Sequence, residues 1–203
     1  MDQAEELRNV IKKQNQRTKK PARIITVTSG KCGVGKSNIA VNLAVQFQRM
    51  GLKTIIFDAD IGLANVEVMF GTIPQYSLND LIYHDKEIED IITDGPEGVG
   101  FISGGSGIMG LSNLTLDQIS YLVKSVEKLS VIADIVIVDT GAGISDSVME
   151  FVASSPEILL VTTPEPSSLT DAYSLLKMLY RNPKYDKNER SICSSSNEVS
   201  QFQ

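Results

Sequence analysis

The sequence predicts an α/β fold, a doubly wound and mainly parallel sheet with helices on both faces, and three observations carry that expectation. Runs of β-forming residues alternate with stretches of helical period. The runs, at 24–28, 54–58, 99–103, 135–139 and 158–162, are apolar almost throughout, as strands are when both faces of their sheet are covered. The third is a glycine-rich loop, Gly30-Lys31-Cys32-Gly33-Val34-Gly35-Lys36-Ser37, placed between the first such run and a helical stretch.

At 203 residues the chain has room for one good-sized α/β core and is short for two. The expected organisation is one domain over 21–183 with an appendage at each end. Residues 2–14 form a candidate helix: Asp2 can cap it with Glu5 three positions on, and Leu7, Val10 and Ile11 share one side. A basic linker continues to residue 20, and Pro21 opens the globular part. Helices are expected at 36–50, 116–129, 145–153 and 167–180. The stretch 184–203 is polar and Ser-rich, without strand alternation or amphipathic period, and is expected to be disordered or aberrant.

No apolar run approaches the roughly 20 residues of a membrane helix, and the polar first residues lack the apolar core of a secretory signal. Two cysteines, Cys32 and Cys193, are too few for a disulfide framework or a zinc site. The expectation is a cytoplasmic protein. A net charge of −6 weighs against nucleic acid as a partner of the protein body. The residues up to Arg23 are nevertheless basic, either a solvated tether or a surface for docking onto anions.

The loop 30–37 matches G-x-x-x-x-G-K-[ST] in the strand-to-helix setting which that motif needs. Its glycines let the backbone approach phosphates, and a helix beginning near Lys36 turns its positive end and free N–H groups toward them. Lys36 would neutralise the β- and γ-phosphates of ATP, the Ser37 hydroxyl would coordinate Mg²⁺, and Asn38 follows on the same turn. Asp58 and Asp60 end the second strand, at the edge where such sheets bind ligands. They are candidates to hold a Mg²⁺ water or to orient an attacking water, with helix capping as the structural alternative. Asp139, after the apolar 135–138, has the form of a carboxylate that supports Mg²⁺. His84, the single histidine, reads as a surface residue, and the Gly-rich 103–107 as a flexible loop.

Lys31 is not required by an ordinary phosphate loop. With Gly33-Val34-Gly35-Lys36-Ser37 it resembles the deviant Walker A of the MinD/ParA ATPases, in which the extra lysine reaches across an ATP-bound dimer. Cys32 stands where that family usually has Gly. The resemblance implies a MinD-like P-loop fold with Lys31, Lys36 and Asp60 as catalytic residues, Asn65 near the dimer contact, and a second switch over 139–143. There Gly141 replaces the usual proline and the Gly143 N–H senses the γ-phosphate. Thr162-Thr163-Pro164-Glu165-Pro166 resembles the loop beside the base, which puts Pro164 and Glu165 in the nucleotide-binding set. The family's following strand, ending in an Asn that reads adenine, and its C-terminal membrane-targeting helix are not recognised, so a truncated or out-of-frame ending is expected.

Asp2-Gln3-Ala4 with Leu7-Arg8 resembles the arm of the flagellar-placement branch of the family, FlhG (YlxH), which activates the signal-recognition-type GTPase FlhF. The resemblance implies that Gln3 and Arg8 approach the partner's nucleotide while Ala4 and Leu7 pack the helix onto it. It further implies an ATP-dependent homodimer, flagellar basal-body components as partners, and a place in the cytoplasm or at the inner face of the membrane. The alternatives are a partitioning or division-positioning ATPase and a synthetase on the same fold. An iron–sulfur carrier fails for want of suitably placed cysteines.

Overall fold

The computed structural model describes residues 21–63, 65–105, 114–185 and 191–196. The strands are β1 (Arg23–Ser29), β2 (Thr54–Ala59), β3 (Thr93–Asp94), β4 (Gly100–Ile102), β5 (Ile135–Ala142), β6 (Glu157–Thr162) and β7 (Ser191–Ser196). They form a seven-stranded sheet in the order β3-β4-β2-β5-β1-β6-β7. All pairings are parallel except the short antiparallel edge between β3 and β4. The helices are α1 (Lys36–Arg49), α2 (Asn65–Phe70), α3 (Leu78–Tyr83), α4 (Leu116–Leu129), α5 (Asp146–Ser154) and α6 (Pro166–Arg181).

Near-continuous apolar runs are explained by burial of alternate residues on opposite faces. Ile55, Phe57, Val136 and Val138 face a cluster with Leu122, Val126 and Leu129 of α4 and Phe151 of α5. Their neighbours Ile56, Ile135 and Ile137 face the other way, against Ala40, Val41 and Ala44 of α1. A third cluster packs Val148, Met149 and Val152 of α5 with Leu175 and Leu179 of α6. Two of the helices begin on side-chain caps: Thr115 and Gln118 form a reciprocal capping box, and the Ser145 side chain accepts from the Val148 N–H.

The sheet is apolar in its middle and polar at the carboxyl ends of its central strands. Ser29, Asp58, Asp139 and Thr140 are all buried there. Groups that cost free energy to bury unpaired are thus gathered at one edge, the edge where the phosphate loop leaves β1.

Two expectations need correction. The stretch after residue 183 is not wholly without structure: β7 pairs in parallel register with β6 along six residues, and Ile192 packs against the third cluster. Edge pairing satisfies the backbone groups of β6 whatever the side chains, so a serine-rich segment can serve. A strand does therefore follow α6, and Asn197 comes next in the sequence. Nor are residues 103–105 a loose loop, since all three are buried; residues 106 and 107 lie outside the described residues. The partner-binding arm, Asp2, Gln3, Ala4, Leu7 and Arg8, also lies outside them.

Candidate nucleotide site

A cleft of about 900 Å³ opens at the polar edge of the sheet, with residues of the phosphate loop, the β2 end and the β5 end around it. Its size suits a nucleotide-sized ligand. Gly35 stands at the N-cap of α1 with φ 88°, and no side chain caps that helix. By contrast α3, α4 and α5 are capped by Ser77, Thr115 and Ser145. The first N–H groups of α1 thus stay available beside the cleft, where anions are favoured. Gly30 fixes the other end of the loop. A Cβ there would lie 2.3 Å from the carbonyl carbon of Asp171, so α6 packs backbone to backbone against the loop.

Lys36 and Asp139 form the centre. Lys36, only 8% exposed, donates from Nζ to Asp139 Oδ1 at 2.9 Å and to Ser37 Oγ at 3.3 Å. Asp139 is fully buried and its Oδ2 has no hydrogen-bond partner among the described residues. A buried carboxylate oxygen without a partner is expensive. An Oδ2 with free lone pairs and a hydroxyl on Ser37, both next to Lys36, fit a hydrated divalent cation well, and hard oxygen donors of this kind suit Mg²⁺.

The two acids at and just past the end of β2 divide their work. Asp58 accepts from the Asp60 N–H at 3.1 Å through Oδ1 and from the Val66 N–H at 3.1 Å through Oδ2. It thereby caps α2 from within the core, the structural alternative for this residue, and the cleft is lined by Asp60 instead. Asp60 Oδ2 accepts from Asn65 Nδ2 at 2.9 Å. Its Oδ1 would stand 3.2 Å from a Cβ on residue 141, which accounts for glycine at that position. Burial raises the Asp60 carboxyl above the ordinary range, with Lys36 opposing, Asp139 adding and Asn65 opposing. Burial likewise pushes Asp58 up to about 7, against its two backbone bonds and helped by the charge of Asp139.

Of the remaining expected residues, Lys31, Cys32, Gly33, Gly35, Ser37 and Asn38 line the cleft, whereas Val34 is a core residue. Lys31 Nζ donates to Glu165 Oε2 at 2.9 Å and to Ser167 Oγ at 3.0 Å, joining the loop to the start of α6 within one chain. Glu165 therefore meets Lys31 in this state, and Pro164 precedes it in the same turn without lining the cleft. The Gly143 N–H, expected at the γ-phosphate, donates to the Ser29 carbonyl at 2.9 Å. His84 is exposed and near Asp80. Sequence reasoning missed the apolar wall formed by Leu63, Val68, Met69, Leu114 and Ile119. Nothing in the local pattern marks it, because its parts come from α2 and the turn before it and from the start of α4 and the residue pair ahead of it.

A profile of the ParA group, described as NUBPL iron-transfer P-loop NTPase, matches residues 20–183. The chain belongs to the ParA/MinD-type P-loop NTPase family. It is 43% identical over 162 residues to the antiactivator FleN of Pseudomonas aeruginosa, covering 80% of this chain and 58% of that protein. With the flagellum site-determining protein YlxH of Helicobacter pylori it shares 37% over 186 residues, 89% of this chain and 63% of that one. Among solved structures it is similar to the septum site-determining protein MinD of Pyrococcus horikoshii complexed with Mg-ADP. That likeness has a TM-score of 0.70 at 28% identity, over 84% of this chain and 68% of the other. The chain thus spans about 60% of the length of these curated relatives.

Asp58 gives the site a pH signature. A carboxyl with a folded pKa above its unfolded one binds its proton more tightly when folded. Its contribution to stability is complete below the ordinary carboxylate range and is lost as pH rises through about 7. Without ligand, the melting temperature should fall between about pH 4 and about pH 7, and Asp58→Asn should flatten that slope. An equally steep slope in the variant, measured by calorimetry, would remove Asp58 as its source.

Proposed function

We propose that the chain binds and slowly hydrolyses ATP with Mg²⁺ as a dimerising molecular switch of the flagellum site-determining kind. The observation that carries this reading is the Lys36–Asp139 pair, with its unpartnered Oδ2, beside the uncapped start of α1. The names of the FleN and YlxH relatives support the flagellar part.

In this reading the α1 N–H groups and Lys36 hold the β- and γ-phosphates, while Ser37 and Asp139 hold the cation. When bound, Mg²⁺ supplies charge neutralisation across those phosphates. Asp60, steadied by Asn65, orients a water for attack on the γ-phosphorus. The bond to the bridging oxygen breaks, the proton passes to the phosphate released, and ADP remains. Asp58 serves by fixing the backbone that carries Asp60. Lys31 takes its trans role by exchanging Glu165 and Ser167 for the partner's phosphates. With side chains 38% and 63% exposed, the Lys31–Glu165 pair is of the kind that costs little to release.

The partners in this reading are a second copy of the chain, an FlhF-type GTPase contacted by Asp2, Gln3, Ala4, Leu7 and Arg8, and flagellar basal-body components, with no nucleic acid. The protein works in the cytoplasm or peripherally at the inner membrane face. Among the described residues no helix is long and apolar enough to cross a membrane.

Lys36→Ala should abolish ATP binding, and unchanged affinity in a calorimetric titration would sink the site. Lys31→Ala should keep nucleotide yet lose ATP-dependent dimers; dimers still seen by light scattering would refute its trans role. Gln3→Ala should leave ATP hydrolysis intact and weaken stimulation of the GTPase, so undiminished GTP turnover would remove the activator role.

A further inference from the structure

The short helix α2 stands in the wall of the cleft, and at six residues it is far too short to hold itself. Its start is tied by Asp58 to the Val66 N–H and by Asn65 to Asp60. A further tie comes from a different part of the chain. The Ser103 hydroxyl donates to Glu67 Oε2 at 2.6 Å, across 36 residues of sequence. Ser103 is fully buried, and Glu67 is partly so.

Ser103 is itself held from three directions. Its Oγ accepts from the Gly105 N–H at 3.1 Å, and its carbonyl accepts from the Leu78 N–H at 3.0 Å, at the start of α3. Residue 103 also makes an isolated parallel bridge with Ser77. The next residue lies against the backbone that follows β2: Gly104 O accepts from the Gly62 N–H at 3.4 Å. A Cβ on Gly104 would come within 3.0 Å of the Asp58 carbonyl oxygen and 3.3 Å of that of Asp60. The fixed end of β4 therefore grips the segment 58–67 twice, once through backbone and once through Glu67. A short hydroxyl-to-carboxylate bond is of the charge-assisted kind, and here its donor is fully buried.

We propose that Glu67 and Ser103 are a positioning pair that sets α2, and through it the Asn65–Asp60 contact, in the geometry the hydrolytic step uses. This rests on the reading of the cleft as an ATP-hydrolysing site. Neither side chain touches nucleotide; both act through the helix that presents Asn65. Loss of the tie leaves the phosphate loop, Lys36 and Asp139 in place, so binding persists while the attacking water loses its orienting group.

The test uses the full chain with Glu67→Ala, Ser103→Ala, the double variant and Glu67→Gln, whose amide oxygen still accepts the bond. ATP affinity is measured by calorimetry, and turnover at saturating Mg-ATP. Each single alanine variant should lower kcat about tenfold and shift ATP affinity less than about twofold. The double variant should be no slower than the slower single one, as expected for two groups acting through one contact. Glu67→Gln should keep at least about half of the wild-type rate. Unimpaired turnover in Glu67→Ala, losses that multiply in the double variant, or a Gln variant as slow as Ala would each overturn the inference. Glu67 is partly exposed, so its variants keep the test valid even where Ser103→Ala fails to fold. A wild type that binds ATP without hydrolysing it would overturn both readings, whereas normal hydrolysis with an unimpaired Glu67→Ala overturns this one alone.

Discussion

The buried contact between Lys36 and Asp139 is the constraint on which the rest of the site depends. Removing two charges from water is costly, and their attraction offsets that cost only with good geometry and further bonds. Here one carboxylate oxygen is satisfied and the other is not. Buried ion pairs are often no better for a fold than hydrocarbon of the same volume, so an unpartnered Oδ2 beside Lys36 accords with the proposed role of the pair in holding a ligand. The parallel sheet makes the arrangement possible, because it brings β1 and β5 side by side and delivers the lysine and the acid from 103 residues apart to one point.

Around that point the chain arranges contacts of graded firmness. Gly30 is pressed backbone to backbone against Asp171, with no room for a side chain, and Asp58 is fully buried against the Val66 N–H; neither can shift without disturbing the core. Lys31 with Glu165 is exposed and easily exchanged. Such a gradient, rigid at the cradle and loose at its rim, is what a site needs if a second molecule is to reach into it without unfolding anything.

Much of this was legible in the sequence because it depends on spacing. The phosphate loop is a motif of fixed length, and the five principal strands show as apolar runs because both their faces are covered. Less legible were features that depend on where distant segments meet. Asp58 and Asp60 look alike in the sequence, and only the fold shows that one turns inward to backbone N–H groups while the other lines the cleft. Gly143 has an N–H that any loop glycine has, and its use by Ser29 follows from strand register. Short pieces such as α2, α3 and β3 give too few turns or alternations for a periodic signal. Ser103 carries no mark at all in the sequence, since its role is made by the approach of α2 and α3 to the end of β4.

The edge strand β7 was invisible for a different reason. Of its six residues, four are serine, and its pairing with β6 is made by backbone groups that every non-proline residue possesses. Apart from Ile192, which packs against the third cluster, the pairing at this position asks for an extended segment more than for particular letters. A border held mainly by backbone pairing should tolerate changes of letter, Ile192 excepted, more readily than the six strands that carry the cradle.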